Sequence, residues 1–268
     1  MAHKSIERVA VVIPNLNGED YIKNAVDSLL DQSYSLDIIV VDNASTDRSL
    51  EVLKSYKDKV KIIRNGKNLG FAGGVNVGIL YAINNDYDAV ALFNNDAVAH
   101  QNWLKELVTS MNKDESVGIT TCKIQLENKH LIDSTGEFYT TWGLPFPRGR
   151  GQSINGYGDE EYVFGASGGA SLYRIDMLQE IGLFDETYFA YYEDTDISYR
   201  AQLYGWKVTY NPQSITLHKM GATSKKMIRG FTVYQTMKNL PMLFWKNTPL
   251  SLLFPIGARF MLAYTLIL

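Results

Sequence analysis

The run Arg8-Val-Ala-Val-Val-Ile-Pro-Asn15 is the clearest sign of how this chain folds. It is short and apolar, and similar runs recur at 37–41, 60–64 and 89–93. Continuous apolar runs of this length are typical of strands buried on both faces of a parallel sheet. The segments between them have helical spacing, as at 21–30. Strands that alternate with helices predict βαβ units, and therefore an α/β fold with a mostly parallel central sheet flanked by helices.

The remaining segments alternate less regularly between strand and helix patterns. We expect Ser45, with Asp47 behind it, to cap the second helix, because Ser and Asp are preferred N-cap residues. Beyond Gln125 the alternation fails, and 127–163 is predicted to be an irregular, substrate-facing insertion with a hairpin. Later segments predict further elements: a third helix at 71–83, a strand interrupted by glycines at 162–173, a helix at 194–204, and two closing strands at 207–210 and 214–218.

Composition narrows the class of protein. The 268 residues are 46% hydrophobic and 21% charged, which is typical of a globular chain rather than a disordered one. A net charge of -3 gives no general attraction to phosphate backbones, so nucleic acid is not an expected partner. One cysteine, Cys122, cannot form an internal disulfide, and the first residues lack the apolar stretch of a signal peptide. We therefore expect a cytoplasmic protein.

The C-terminus is different in character. Residues 251–268 are apolar and nearly long enough to span a bilayer, but Pro255 and Arg259 interrupt them. We favour a segment that lies in the membrane interface. A core helix, or an interrupted hydrophobic element, remains open.

Polar residues follow each of the four predicted strands. They are Pro14-Asn15, Asp42-Asn43, Asn65 to Asn68, and Asn94-Asn95-Asp96. Ligands of open α/β sheets bind outside the carboxyl ends of the strands, so these four clusters are expected to converge on one crevice.

Two acidic clusters are candidates for chemistry. Asp96, beside two amides, suits a hard divalent cation, although Asn and Asp are also ordinary turn residues. His218 would complete a mixed site if it lies near Asp96. The cluster Glu193-Asp194-Thr195-Asp196 either complements a helix dipole or contains a general base, whose proton affinity its aromatic and acidic neighbours raise.

Residues 68–78 form a glycine-rich loop that opens a helix. Its backbone N–H groups could approach a phosphate or a sugar closely. The loop has neither the dinucleotide-binding fingerprint nor the P-loop pattern, so alone it does not identify a ligand.

Together these residues resemble the family 2 glycosyltransferases of the GT-A fold, in particular the bacterial rhamnosyltransferase branch. The resemblance covers roughly 8 to 220, and its motifs occur in the family's order: Val11-Val-Ile-Pro-Asn15, Val41-Asp-Asn-Ala-Ser-Thr-Asp47, Asn68-x-Gly-Phe-Ala-Gly-Gly-x-Asn76, Asn94-Asn-Asp96, Gly168-Gly-Ala-Ser-Leu-Tyr-Arg174, Phe184-Asp-Glu186 and Tyr192-Glu-Asp-x-Asp196.

The resemblance implies a role for each site residue. Pro14, Asn15, Asp42 and Asn43 would hold a pyrimidine and ribose, and the rest of the donor pocket would comprise Asn68, Gly70, Phe71, Asn76, Asn94, Asn95 and Asp96. Asp96 matches the last position of the family's Asp-x-Asp metal motif, with His218 as second ligand to Mg²⁺ or Mn²⁺. The first position of that motif is Asn94 here, which departs from the family pattern.

For catalysis, Asp194 matches the base of inverting members, with Glu193 as the adjacent alternative. The acceptor would contact Trp142, Gly168, Gly169, Tyr192 and Asp196. The implied reaction is a single displacement in which Asp194 takes the proton of the acceptor hydroxyl. This requires Asp96 and Asp194 to face one sugar-sized gap.

The same resemblance implies a domain plan and partners. A GT-A catalytic domain would occupy 1–228, with a nucleotide-sugar half at 8–125 and an acceptor and catalytic half at 126–228. A helical, apolar, membrane-associating extension would occupy 229–268. We expect dTDP-L-rhamnose as the donor, a lipid-linked or cell-surface polysaccharide as the acceptor, the inner face of the cell membrane as the location, and a homodimer as an allowed state.

Three alternatives stay open at this stage. The donor could be a UDP-hexose or a UDP-N-acetylhexosamine. A sugar-nucleotide nucleotidyltransferase shares the α/β plan, but it should have a basic glycine-rich loop after the first strand, where this chain has no Lys or Arg until Lys23. A non-catalytic nucleotide-sugar or membrane-scaffold protein would not need both Asp96 and Asp194.

Overall fold

The computed structural model describes residues 5–127, 130–219 and 230–267. It confirms the predicted α/β fold, and all four apolar runs are strands. The strands are β1 (Val9–Asn15), β2 (Asp37–Asp42), β3 (Val60–Arg64), β4 (Ala89–Phe93), β5 (Ala97–Ala99), β6 (Val117–Leu126), β7 (Ile132–Ser134), β8 (Glu137–Tyr139), β9 (Pro145–Pro147), β10 (Glu161–Val163), β11 (Ala170–Arg174) and β12 (Lys207–His218).

The helices lie between and after these strands. They are α1 (Ile22–Leu30), α2 (Ser49–Lys54), α3 (Gly70–Asn84), α4 (Trp103–Lys113), α5 (Ile175–Ile181), α6 (Glu193–Leu203), α7 (Phe231–Asn247) and α8 (Leu250–Ile267), with short 3₁₀ turns at Lys57–Lys59 and Glu186–Tyr188.

The large sheet has the strand order β10-β12-β6-β11-β4-β1-β2-β3. Strands β4, β1, β2 and β3 are parallel to one another, as expected. Strand β11 lies between β4 and β6 and is antiparallel to both. The sheet is therefore mixed rather than mostly parallel in its second half. The chain leaves β6 and enters β11 at the same end of these two neighbouring strands, so β11 runs antiparallel to β6.

Both faces of the sheet are buried, which explains why the strands are continuously apolar. Along β1, Val9, Val11 and Ile13 pack into one hydrophobic core, whereas Ala10 and Val12 pack into a second core on the opposite face. Residues of α1 and α4 cover the first face, and residues of α3, α5 and α6 cover the second.

Three local predictions are wrong. Ser45 does not cap α2; its Oγ accepts a hydrogen bond from the backbone N–H of Asn17, and Asp47 instead accepts from Ser49. The predicted strand at 162–173 is two strands, β10 and β11, joined by an irregular glycine-containing loop. The two closing strands are the single strand β12, with an irregularity in its pairing to β6 between Asn211 and Ile215.

The C-terminal helices α7 and α8 pack on each other through aromatic rings. Phe244 and Phe260 are fully buried and stack with centroids 4.2 Å apart. Within 5–127, 130–219 and 230–267, no helix combines the length and apolar character that crossing a bilayer requires. The predicted boundary at 228/229 lies outside the described residues.

Candidate active site

A cavity of about 290 Å³ lies at the carboxyl ends of β1, β2 and β4. Its size suits a sugar and part of a nucleotide. Its walls come from distant parts of the chain: Pro14, Asn15, Leu16, Asn43, Asn68, Gly70, Phe71, Asn94, Asn95, Asp96, Ser167, Gly168, Gly169, Phe189, Ala190, Tyr191, Glu193, Asp194 and His218. The predicted convergence of the strand ends is therefore present in the fold.

Asn15 organises the floor of the cavity. Its fully buried side-chain amide donates towards Asp42 Oδ1 at 3.3 Å and Ser49 Oγ at 3.1 Å, and its Oδ1 accepts from Asn95 Nδ2 at 2.9 Å. The ends of β1, β2 and β4 are thus tied together by side-chain hydrogen bonds. Gly18 is required beside them, because a Cβ there would lie 2.3 Å from Asn15 Oδ1.

The glycine-rich loop is fixed to the end of β2. Asn43 Nδ2 donates to the carbonyl oxygen of Gly70 at 2.9 Å, and Asn68 Oδ1 accepts from the N–H of Gly70 at 2.9 Å. A Cβ on Gly74 would lie 2.6 Å from Asn43 Nδ2, so this glycine lets α3 approach the strand end closely. The loop therefore forms one wall of the cavity.

His218 and Asp96 meet at one side of the cavity. His218 Nε2 lies 3.2 Å from Asp96 Oδ1, and its Nδ1 lies 2.8 Å from Asp133 Oδ2. Burial alone would lower the pKa of His218, but hydrogen bonds to Asp133 and Asp96 raise it to about 9. Asp133 also pairs with Arg150 at 2.8 Å, which fixes the orientation of its carboxylate.

These residues fit a divalent cation. A carboxylate and an imidazole nitrogen face each other, and the second ring nitrogen is held by a carboxylate, as is common for metal-binding histidines. In the described part of the chain, no three or more His, Cys, Asp or Glu side chains form a complete metal site. Mg²⁺ commonly binds through one or two carboxylates together with substrate phosphates, so Asp96 would supply the carboxylate ligand, with His218 as a nitrogen ligand that suits softer divalent cations.

Asp194 faces the same cavity from the first turn of α6. Its Oδ2 accepts from the N–H of Gly168 at 3.0 Å, and its Oδ1 accepts from the N–H of Thr195 at 2.9 Å. Burial raises the pKa of Asp194, and these backbone N–H groups oppose the rise. The side chain is therefore a held carboxylate of raised basicity, which is what a general base requires.

Two further carboxyl groups lie beside Asp194. Burial, and then the charge of Asp194, raise the pKa of Glu193 well above its ordinary value, and Glu193 Oε2 is buried without a hydrogen-bond partner. The same two causes raise the pKa of Glu137 well above its ordinary value, although Thr195 Oγ1 donates to it at 2.8 Å. Burial and the closeness of these carboxyl groups therefore both oppose ionisation of Glu193 and Glu137.

A short loop at 188–192 forms the wall between the glycine-rich loop and α6. Phe189, Tyr191 and Tyr192 all have positive φ, at 63°, 71° and 70°. The N–H of Ala190 donates to the carbonyl oxygen of Tyr188 at 2.7 Å, which makes a γ-turn centred on Phe189. Such backbone conformations cost about 1–3 kcal/mol each in non-glycine residues and persist only where surrounding contacts enforce them.

The structure separates several predicted residues from the cavity. Asp42 and Asn76, expected to bind the donor, do not line it. Asp42 is fully buried behind Asn15, and Asn76 bonds to both the carbonyl oxygen and the N–H of Phe184. Both side chains hydrogen-bond within the protein, and their contact with a donor stays a prediction.

Three expected acceptor contacts also lie elsewhere. Trp142 is a half-exposed residue in the turn between β8 and β9, and Tyr192 packs against the aromatic cluster of α7 and α8. Asp196 is fully buried and paired with Arg200 and Lys246. Gly168 and Gly169 do line the cavity, and a Cβ on Gly169 would lie 2.9 Å from Asn94 Nδ2.

Sequence reasoning missed Asp133, Glu137 and the cavity-lining residues Phe189 to Tyr191. Asp133 and Glu137 belong to the irregular insertion, where periodicity gives no indication of which side chains turn inward. A single acidic residue after an apolar one, as in Ile132-Asp133, is the only signal present, and it is weak.

Solved structures with the same architecture identify the class of fold. Three of them are GalNAc-T7 with UDP, GalNAc and Mn²⁺, TarS 1–349 of S. aureus, and the mannosyltransferase PcManGT of Pyrobaculum calidifontis with GDP-Man and Mn²⁺. Their TM-scores are 0.65, 0.62 and 0.65 at 19%, 18% and 16% identity. They cover 80%, 95% and 94% of this chain and 44%, 70% and 68% of those chains. The chain therefore has the GT-A fold.

Sequence comparison then identifies the family. Residues 10–182 match the family model described as glycosyl transferase family 2, and the chain belongs to that family. This confirms the predicted family. Membership of the rhamnosyltransferase branch stays a prediction.

Curated relatives include glycosyltransferases of several kinds. The low-salt glycan biosynthesis hexosyltransferase Agl10 of Haloferax volcanii is 23% identical over 87% of this chain and 74% of its own length. The amylovoran biosynthesis glycosyltransferase AmsB of Erwinia amylovora is 29% identical over 79% and 69%. An uncharacterized glycosyltransferase of Haemophilus influenzae is 33% identical over 41% of this chain, but only 34% of that relative is spanned.

Replacing Asp133 tests the metal site. Asp133→Asn keeps the shape of the side chain but removes the charge that orients His218, so we expect affinity for Mn²⁺, measured by calorimetry with a nucleoside diphosphate present, to fall roughly 10–100-fold. Asp159→Asn, at an exposed position of the same insertion, should leave the affinity unchanged. Equal Mn²⁺ affinity in both variants would contradict the role of Asp133 in orienting His218 for the cation.

Proposed function

We propose that this chain is an inverting glycosyltransferase, which moves a sugar from a nucleoside-diphosphate donor to an acceptor hydroxyl by metal-assisted single displacement. The observation that supports it best is that Asp96 and His218 on one side, and Asp194 on the other, line the same cavity. Family membership and the GT-A fold support the same activity.

In this proposal, Asp194 is the general base. The acceptor oxygen attacks the anomeric carbon, its proton passes to Asp194, and the bond between the anomeric carbon and the diphosphate oxygen breaks. The N–H groups of Gly168 and Thr195 hold the carboxylate in place. Glu193 is a weaker candidate for the base, because burial and the charge of Asp194 raise its pKa well above its ordinary value, and no hydrogen-bond donor holds its Oε2.

Asp96 and His218 would hold Mg²⁺ or Mn²⁺, which when bound neutralises charge on the departing diphosphate. GalNAc-T7 and PcManGT were solved with Mn²⁺, which supports a divalent cation at the corresponding place here. His218 must give up its proton to bind a cation, so cation binding releases a proton from this site.

The donor that we propose is dTDP-L-rhamnose. The support is the likeness of Gly70-Phe-Ala-Gly-Gly74 and Tyr192-Glu-Asp-x-Asp196 to the rhamnosyltransferase branch. A UDP-hexose or UDP-N-acetylhexosamine donor is the alternative, since TarS has been solved with UDP-GlcNAc.

The nucleotidyltransferase alternative is disfavoured by the surroundings of the cavity. Lys23, the first basic residue after β1, is on the surface of α1 and pairs with Asp27. Among the described residues that line the cavity, none is Lys or Arg. A triphosphate would therefore meet no Lys or Arg side chain among these lining residues.

We also propose that the acceptor is a lipid-linked or cell-surface polysaccharide, reached from the inner face of the cell membrane. One side of α8 packs on α7, and the other exposes apolar side chains, including Leu250 (87% exposed), Phe254 (93%) and Leu266 (78%). Apolar side chains exposed along one face of a helix are typical of interfacial membrane binding. The expected homodimer stays a prediction.

A screen of nucleotide sugars tests the activity and the donor. Ligand at a hundredfold excess over its dissociation constant stabilises a protein by about 2.7 kcal/mol, which raises the midpoint of thermal unfolding by roughly 5 °C or more. We expect dTDP-L-rhamnose with Mg²⁺ or Mn²⁺ to give the largest rise. Asp96→Ala should lose the metal-dependent part of that rise.

A larger rise with UDP-sugars than with dTDP-L-rhamnose would replace the proposed donor by the alternative. No rise with any nucleotide sugar, with or without a cation, would contradict the proposed function itself.

Sedimentation with lipid vesicles tests the membrane proposal. We expect the chain to co-sediment with vesicles of phosphatidylcholine and phosphatidylglycerol, and the double variant Leu250→Gln, Phe254→Gln to bind roughly tenfold more weakly or worse, because two exposed apolar side chains are lost. Leu30→Gln with Leu80→Gln, exposed on α1 and α3, is the matched control. Equal binding by both double variants would rule out α8 as the contact.

A further inference from the structure

The loop at 188–192, which we call the catalytic loop, needs an external support. Three of its five residues have positive φ without being glycine. It also carries Phe189 to Tyr191 into the cavity wall and leads directly to Glu193 and Asp194. A short segment in disfavoured backbone conformations keeps its shape only if several contacts enforce it.

One support comes from the glycine-rich loop. The carbonyl oxygen of Phe189 accepts from the N–H groups of Phe71 at 2.7 Å and Ala72 at 3.2 Å, so it caps the start of α3. A Cβ on Gly70 would lie 2.3 Å from that same oxygen. The catalytic loop therefore closes tightly against the donor side of the cavity.

The opposite support is a single side chain from α7. Asn239 is fully buried, and its Nδ2 lies 2.9, 2.8 and 2.8 Å from the carbonyl oxygens of Tyr188, Ala190 and Tyr191. Its two amide hydrogens are shared among these three carbonyl oxygens of the catalytic loop. No apolar or acidic side chain could replace them, because carbonyl oxygens need donors.

The helix that carries Asn239 is itself fixed to α6. The buried carboxylate of Asp196 accepts from Arg200 Nε at 2.9 Å, from Lys246 Nζ at 2.9 Å and from Asn247 Nδ2 at 2.8 Å. Lys246 and Asn247 end α7, and Asp196 and Arg200 belong to α6. A buried, fully paired carboxylate of this kind fixes the relative position of the two helices.

We propose that Asn239 is a positioning residue of the reaction, and that α7 therefore belongs to the catalytic machinery rather than to a membrane appendage. By holding three carbonyl oxygens, Asn239 sets the shape of the catalytic loop and hence the place of Asp194 relative to the sugar. This inference rests on the proposed function, since it assigns a role within that reaction.

Asn239→Asp is the sharpest test, because it keeps the size of the side chain and turns its donors into acceptors. We expect turnover to fall roughly a hundredfold, as for a base misplaced by about an ångström. Affinity for the nucleoside diphosphate, held by the floor around Asn15, should stay within about threefold of the native value. Amide hydrogen exchange at 188–194 should rise by roughly tenfold or more, while exchange in β1 is unchanged.

Two controls separate positioning from general damage. Asn84→Asp makes the same chemical change at an exposed position of α3 and should leave every readout unchanged. Leu243→Ala, a fully buried position of α7, should lower the midpoint of thermal unfolding without a selective loss of turnover. If Asn239→Asp does not fold, Asn239→Ser, which retains one donor, is measured in the same way.

Native turnover and unchanged exchange at 188–194 in the Asn239 variant would overturn the proposal. Parallel losses of turnover and nucleotide affinity would also overturn it, because they would indicate a merely structural role. Absence of sugar transfer by the unaltered protein would instead contradict the proposed function, and the exchange measurement would still decide the role of Asn239 in the loop.

Discussion

Strands β1, β2 and β4 run parallel, so their last residues emerge at the same edge of the sheet, where backbone pairing stops and polar side chains must satisfy one another. Asn15 meets this requirement by bonding to the ends of both neighbouring strands. The cavity exists because these side chains are tied to each other rather than collapsed over the strand ends. Asp96 and the glycine-rich loop take their positions from this floor.

The second half of the chain adds the carboxyl groups of Glu193 and Asp194 to the cavity wall. Residues 130–163 bring Asp133 to His218 and Glu137 to the start of α6. Asp133 raises the pKa of His218 through a hydrogen bond, whereas the pKa of Glu137 is itself raised by burial and by the charge of Asp194.

Much of this was predictable because it depends on local patterns. The apolar runs predicted the strands. The polar residues after them predicted the cavity, because parallel strands end at one edge of the sheet. The predictions that failed concern side chains whose bonding partners lie far away in sequence. Asn76 and Asp196 stand in family motifs, but their side chains bond to Phe184, 108 residues away in sequence, and to Lys246, 50 residues away. Neither periodicity nor composition reveals such partners, and the same holds for Asp133 and Asn239.

Turnover and donor affinity of Asp194→Asn test the central claim most directly. The variant keeps the size and shape of the side chain but cannot act as a base, so the rate of sugar transfer should fall by roughly 10²–10⁴ while donor affinity stays within about threefold. Glu193→Gln, the matching change at the neighbouring carboxyl group, should retain most of the activity. Native turnover in Asp194→Asn, or an equal loss in Glu193→Gln, would contradict the assignment of Asp194 as the base.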